Sequence, residues 1–118
     1  EGKNNNRMDK IKKYQEAIKE VLKKHHSPKV KHNYDEYESQ MVVDDERGHF
    51  FLLNVGWNQY DRIFSCMLHI DLKEDKIWIH QDWTEGVVDE FLAMDIPKED
   101  LVLAFLAPYK RPYANIAA

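Results

Sequence analysis

Two histidines and two aspartates alternate along neighbouring segments that have the pattern of β-strands. His69 and Asp71 lie on the first segment, and His80 and Asp82 lie on the second. If the turn between the segments closes a symmetric hairpin, His69 faces His80 and the four side chains share one face of the sheet. Two imidazoles and two carboxylates are competent ligands for a divalent metal ion. The pattern therefore allows a metal site, with His69 and His80 as its candidate ligands.

The same face has two other interpretations. One side of an antiparallel sheet is polar by default, so the face can simply be solvated. It can also bind a partner, and histidines that titrate near neutral pH would make such a contact sensitive to pH without any metal. Of these interpretations we predict the interface, with no bound metal or cofactor. The residues of the predicted polar face are Met67, His69, Asp71, Trp78, His80 and Asp82.

The opposite face of the hairpin is apolar, and both predicted helices should pack against it. Cys66 falls on this side, so we predict a small core residue rather than a nucleophile, because a reactive thiol needs an exposed, electropositive setting. It is the only cysteine, which excludes an internal disulfide and a multi-cysteine zinc site. The residues predicted for the core face are Cys66, Leu68, Ile70, Leu72, Ile77 and Ile79.

Positive charge is concentrated in the first part of the chain. Residues 1–33 carry ten basic and four acidic side chains, a net charge of +6, whereas residues 34–118 have a net charge of −10. Lysines next to phosphates favour nucleic-acid binding through counterion release, but the same lysines can contact an acidic protein or remain solvated. The candidate basic contacts are Lys12, Lys13, Lys23, Lys24, Lys110 and Arg111.

Hydrophobic periodicity predicts an α+β fold. Apolar residues three or four positions apart predict an N-terminal helix from Met8 to about Lys24. A period of two follows, and it predicts a four-stranded antiparallel sheet whose strands are joined by short turns. A second helix opens at Thr84-Glu85, and a short C-terminal element packs with both helices on one face of the sheet. The run Leu101–Leu106 has either helix or strand character, which its periodicity does not decide.

Length and composition restrict the class of protein. The chain has 118 residues, of which 43% are hydrophobic and 32% are charged, as in one small globular domain. It has no apolar run long enough to span a membrane and no signal peptide, so we expect a cytoplasmic protein without membrane contact. Its four glycines are scattered, so a phosphate-binding loop is excluded.

Five blocks of sequence follow one another in a distinctive order. They are Leu53–Trp57, Cys66–Asp71, Lys76–Asp82, Ile96–Phe105 and Pro108–Tyr113. In residue type and spacing these blocks resemble the XisI family, the fdxN element excision controlling factor proteins of cyanobacteria. The resemblance implies a single XisI-like domain over residues 8–118, with residues 1–7 as a disordered or expression-derived extension.

The resemblance also implies a role in DNA rearrangement. Family members are linked to programmed excision of a DNA element during heterocyst differentiation, alongside a site-specific recombinase and an XisH-type protein. No nucleophile–base–orienter set can be assembled from the residues. We therefore expect a non-enzymatic accessory factor that acts by contact with an XisH-type protein or the recombinase, and that forms a homo-oligomer.

Two other functions remain open from the sequence. A direct DNA-binding protein would use the lysines of the first helix and the Lys110-Arg111 tail. A metal-dependent enzyme would use the polar face, with His69, Asp71, His80 and Asp82.

Overall fold

The first helix covers one face of a single sheet. The computed structural model describes residues 2–113, and the side chains of residues 7–112. Helix α1 spans Gly2–His25 and so begins before the predicted start at Met8. The predicted apolar stripe is buried, since Ile18, Val21 and Leu22 have no exposed surface. The helix ends shortly before Pro28, which disfavours helical geometry in the residue that precedes it.

The sheet has six strands in sequence order. They are β1 (Val30–His32), β2 (Asp35–Asp44), β3 (His49–Asn58), β4 (Asp61–Lys73), β5 (Lys76–Asp82) and β6 (Leu101–Leu103). The first five strands pair antiparallel, and β6 pairs parallel to β5. Helix α2 (Val87–Ala93) lies between β5 and β6 in the chain, and two short 3₁₀ helices span Lys98–Asp100 and Pro108–Tyr113.

The predicted α+β class is confirmed, but the prediction of four antiparallel strands is wrong. The two additional strands, β1 and β6, are each three residues long, too short to show a period of two. The β6 strand also depends on a parallel pairing with β5, which local sequence does not indicate. The run that begins at Leu101 is therefore a strand over its first three residues, and the sheet is mixed.

The core lies between the sheet and the two helices. Phe50 and Leu52 of β3 are fully buried with Phe91 of α2 and with the apolar stripe of α1. Residues that alternate with these on the strands point to the other side of the sheet. We call the side that packs against the helices the covered face and the opposite side the open face.

A polar contact fastens α1 to the segment before β6. The Tyr14 hydroxyl donates a hydrogen bond to Asp100, and the Lys10 ammonium lies 3.0 Å from the same carboxylate. Burial, followed by the contact with Asp100, raises the pKa of Tyr14. Burial by itself would raise the pKa of Asp100, but hydrogen bonds from Tyr14 and Lys10 hold it below its usual value.

One glycine closes the turn between β2 and β3. Gly48 adopts a φ of 76°, a left-handed conformation that glycine reaches without steric strain. Its carbonyl accepts a hydrogen bond from the Leu72 amide at 2.9 Å, which ties the turn to the end of β4. A Cβ atom at this position would lie 2.3 Å from the Leu72 carbonyl oxygen, so only glycine fits.

Candidate interface and histidine cluster on the open face

A bulge in β4 places two residues on the face of the sheet opposite to the one predicted for them. Leu52 pairs with Leu68 and Leu53 pairs with Cys66, so Met67 is an additional residue on β4. Met67 packs against the core, and Cys66 lies on the open face opposite Leu53. The predictions of Cys66 in the core and Met67 on the polar face are therefore wrong. Cys66 is half-buried, and burial raises the pKa of its thiol.

A second bulge, in β5, separates Asp82 from the histidines with which it was predicted to share a face. Ile70 pairs with Ile79, as the hairpin predicts, but His69 pairs with Gln81 instead of His80. Asp82 consequently pairs with the buried Leu68 and lies on the covered face. The prediction that places Asp82 beside the histidines is wrong, because the bulge shifts the alternation of β5 by one residue.

Asp82 instead caps the start of α2. Its Oδ1 accepts hydrogen bonds from the backbone amides of Thr84 at 2.9 Å and Glu85 at 3.0 Å. Its Oδ2 accepts a hydrogen bond from the amide of Val87, the first residue of the helix, at 3.1 Å. A carboxylate next to a helix N-terminus also interacts favourably with the helix dipole. Asp82 thus has a structural role that its residue type alone did not indicate.

Three histidines surround the Asp71 carboxylate on the open face. The Oδ1 atom lies 2.9 Å from His49 Nδ1 and 3.1 Å from His69 Nε2, and Oδ2 lies 3.1 Å from His80 Nε2. His69 and His80 are adjacent, as predicted, although they are not directly paired. We call these four residues the histidine cluster.

His49 is the member of the histidine cluster that the sequence analysis missed. It pairs with Asp71 across β3 and β4, so its place in the cluster depends on the register of these two strands. The predicted register covered only the hairpin of β4 and β5. A register counted from the Asn58–Asp61 turn would still have been displaced by the bulge at Met67.

Aromatic rings are stacked on both sides of His69 in the histidine cluster. The imidazole of His69 lies between the Phe51 ring, at a centroid distance of 4.2 Å, and the His80 imidazole, at 4.5 Å. Burial lowers the pKa of His69 and outweighs the opposing effect of Asp71. Burial by itself would raise the pKa of Asp71, but the hydrogen bond from His49 and the charges of the histidines hold it below its usual value.

Trp78 lies on the same face and is held by contacts within the fold. Its indole Nε1 donates a hydrogen bond to the Lys73 carbonyl at 2.9 Å. The Lys73 ammonium lies 4.6 Å from the ring centroid, and the Arg111 guanidinium lies 5.5 Å from it. Arg111 also donates a hydrogen bond to the Leu106 carbonyl at 3.0 Å. Arg111, one of the candidate basic contacts, thus holds the C-terminal segment against the sheet.

An apolar patch extends from the cluster along β3. Its aromatic members at the far end are prominent, because Trp57 is 54% exposed and Phe64 is 65% exposed. Phe64 pairs with Val55, so the patch is continuous across β3 and β4. We call it the open-face patch. Its residues are Phe51, Leu53, Val55, Trp57 and Phe64.

The other predicted basic contacts are on the helical side or near the C-terminus. Lys13 donates to the Asp95 carbonyl at 3.4 Å, and Lys24 lies 3.6 Å from Glu90. Lys12 and Lys23 are exposed. Lys110 is exposed and lies 5.8 Å from the centroid of the neighbouring Tyr109 ring. These lysines are therefore distributed over the surface on α1 and the C-terminal 3₁₀ helix, whereas the open-face patch is formed by β3 and β4.

Together, these features define an α+β protein in which two helices cover one face of a mixed sheet. Over residues 2–113, neither helix is long and apolar enough to cross a membrane. The chain belongs to the XisI family, since the family model described as XisI protein matches residues 8–118. That match begins at Met8, and the interpretation of residues 1–7 as an extension stays a prediction.

Two solved structures are similar to this one. A XisI-like protein from Anabaena variabilis ATCC 29413 is 40% identical, with a TM-score of 0.79, over 88% of this chain and 94% of that chain. The fdxN element excision controlling factor XisI from the same strain is 29% identical, with a TM-score of 0.74, over 89% of this chain and 95% of that chain. No curated protein matches the chain.

Proposed function

We propose that the chain is a cytoplasmic, non-enzymatic accessory factor in the excision of a DNA element of the fdxN type. In this proposal it acts by contact with an XisH-type protein or with the recombinase. Family membership and the similarity to an fdxN element excision controlling factor support the excision role. The open-face patch supports the protein contact.

The exposure of Trp57 and Phe64 is the observation on which the contact depends. These rings are 54% and 65% exposed on a face that neither helix covers. A contiguous apolar patch on a soluble protein marks an interaction surface more often than a solvated one. Aromatic side chains are also enriched among the residues that contribute most to protein–protein binding.

The rim of the patch favours a partner with complementary charge. Glu36 and Glu38 of β2 pair with Trp57 and Val55, while Lys29 lies 3.2 Å from Glu36 and the Arg62 guanidinium lies 5.7 Å from the Trp57 ring centroid. A rim that carries charges of both signs suits a protein surface with complementary charges better than a phosphate backbone, which is uniformly negative. For this reason we place the partner contact, rather than direct DNA contact, on this face.

Co-purification with an XisH-type protein tests the proposal. We expect a stoichiometric complex in size-exclusion chromatography with light scattering, and we expect Phe64→Ser to weaken it by at least about tenfold, as for an aromatic residue that contributes strongly to binding. Phe105→Ser is the matched control, because Phe105 is 55% exposed and lies beyond β6. It should leave the complex intact.

Two results would overturn the proposal. In one, the two proteins elute separately while the chain alone retards DNA, with binding that weakens steeply as salt increases. In the other, both phenylalanine variants bind the partner as well as the wild type does. Light scattering of the chain alone also tests the predicted homo-oligomer.

A further inference from the structure

The histidine cluster has the composition of a transition-metal site. Imidazole nitrogen and carboxylate oxygen together suit Zn²⁺, Ni²⁺ and Cu²⁺. The cluster offers three imidazoles and one carboxylate, drawn from three adjacent strands. Asp82, which the sequence analysis included among the ligands, is absent from it, and His49 is present instead.

The ligand atoms already converge. One nitrogen of His69, one of His80 and one oxygen of Asp71 all lie within 4.8 Å of one another. Metal–ligand bonds of about 2.0–2.1 Å would require separations of roughly 3.4 Å between these atoms. Binding would therefore bring these atoms closer together by up to about 1.4 Å.

The charge balance of the cluster also favours a cation. Asp71 supplies one negative charge, and a nitrogen of each of the three imidazoles lies within 3.1 Å of its oxygens. Neutral imidazole is the form that binds metals. The His69 imidazole is stacked on the Phe51 ring at a centroid distance of 4.2 Å, which restricts its orientation.

We propose that His69, His80 and Asp71 bind one divalent transition-metal ion on the open face, while His49, whose Nδ1 lies 2.9 Å from Asp71 Oδ1, orients the carboxylate. The side chains of His49, His69 and His80 are 47%, 28% and 34% exposed, so an ion can reach them from solvent. This proposal goes beyond the excision role and does not depend on it.

Calorimetric titration of the untagged chain with ZnCl₂ and NiCl₂ tests the site. We expect saturable binding of one ion per chain, weakened by at least about 10- to 100-fold in Asp71→Asn and in His69→Ala. His32→Ala is the matched control, since His32 is exposed on β1, outside the cluster. It should bind as the wild type does.

A measurement on the wild type tests the proposed site even if the variants fail to fold. In ¹H–¹⁵N spectra of the side-chain imidazoles, Zn²⁺ should shift the Nε2 signals of His69 and His80 and leave those of His32 in place. Absence of saturable binding to the wild type would overturn the proposal. So would equal affinity of the wild type, folded Asp71→Asn and folded His69→Ala.

Discussion

The covered and open faces of the sheet are built from alternating residues of the same strands, yet they are completed differently. On β3, Phe50 and Leu52 have no exposed surface, whereas Trp57 is 54% exposed. Both faces carry large apolar side chains, so hydrophobicity alone does not distinguish the core from the surface. The core is distinguished from the surface by the helices, which cover only one face. Residues of the covered face therefore stabilise the fold, and residues of the open face remain available for contact.

The largest expected difference is between two phenylalanines, one on each face. Phe50→Ala should lower the free energy of unfolding by about 3–5 kcal/mol, because it leaves a cavity in the core. Phe64→Ala should change it by less than about 0.5 kcal/mol, because the ring is 65% exposed. Urea unfolding of both variants measures the difference. Similar losses of stability would show that Phe64 is part of a core and would contradict the distinction between the faces.

A second prediction concerns the polar contact that fastens α1. Asp100→Asn should cost about 1.5 kcal/mol at neutral pH, since a charged partner of Tyr14 and Lys10 is lost. The pKa of Asp100 is below its usual value in the folded state, so its stabilising effect is present above pH ~4 and is lost as pH falls further. The difference in unfolding free energy between wild type and variant should therefore shrink towards acid pH.

Tyr14→Phe is the companion variant for this contact. The pKa of Tyr14 is raised, so the wild-type contact should persist below pH ~10 and weaken as pH rises above that value. The stability gap between wild type and Tyr14→Phe should accordingly narrow at alkaline pH. Gaps that stay constant with pH in both variants would contradict the assigned contact.

The third prediction separates Asp82 from Asp71. Asp82→Ala removes a helix cap and should cost about 1 kcal/mol. It should leave the imidazole NMR signals of His69 and His80 close to their wild-type positions, because Asp82 lies on the other face. Asp71→Asn should shift both. If Asp82→Ala shifted them to the same extent, the β5 bulge would be wrong and the simple hairpin register would be right.

The smallest effect is expected from the basic residues of α1. Lys12→Glu combined with Lys23→Glu should change stability by less than about 0.5 kcal/mol for each exposed site. The double variant should also bind the XisH-type protein as the wild type does, because these lysines project from the helical side. Native gel electrophoresis and urea unfolding measure the two quantities. Loss of the complex would move the contact from the open face to the helix.

The sequence predicted the elements better than the faces. The stripe that includes Ile18 and Val21 gave α1, and a period of two gave the four longer strands. Short strands such as Val30–His32 and Leu101–Leu103 were missed because their pairing is decided by tertiary contacts. One inserted residue shifts the register of two paired strands and changes the face on which side chains lie. The unpredicted bulge at Met67 was therefore enough to place Cys66 and Met67 on the faces opposite to those predicted.

The histidine cluster was predicted in part for the same reason. His69, Asp71 and His80 lie close to the hairpin turn, where the predicted register is nearly correct. Asp82 lies beyond the bulge, where it is displaced by one residue. His49 comes from β3, and finding it required the pairing of a third strand. Local sequence therefore indicated the centre of the cluster, and the long-range pairing determined its outer members.

Hydroxyl-radical footprinting of the complex with an XisH-type protein shows whether the open face is the contact surface. Oxidation of Trp57 and Phe64 should fall several-fold on complex formation, while that of Phe105 and Tyr109 should not change. Protection confined to α1, or unchanged oxidation of Trp57 and Phe64 in a stoichiometric complex, would contradict a contact on the open face.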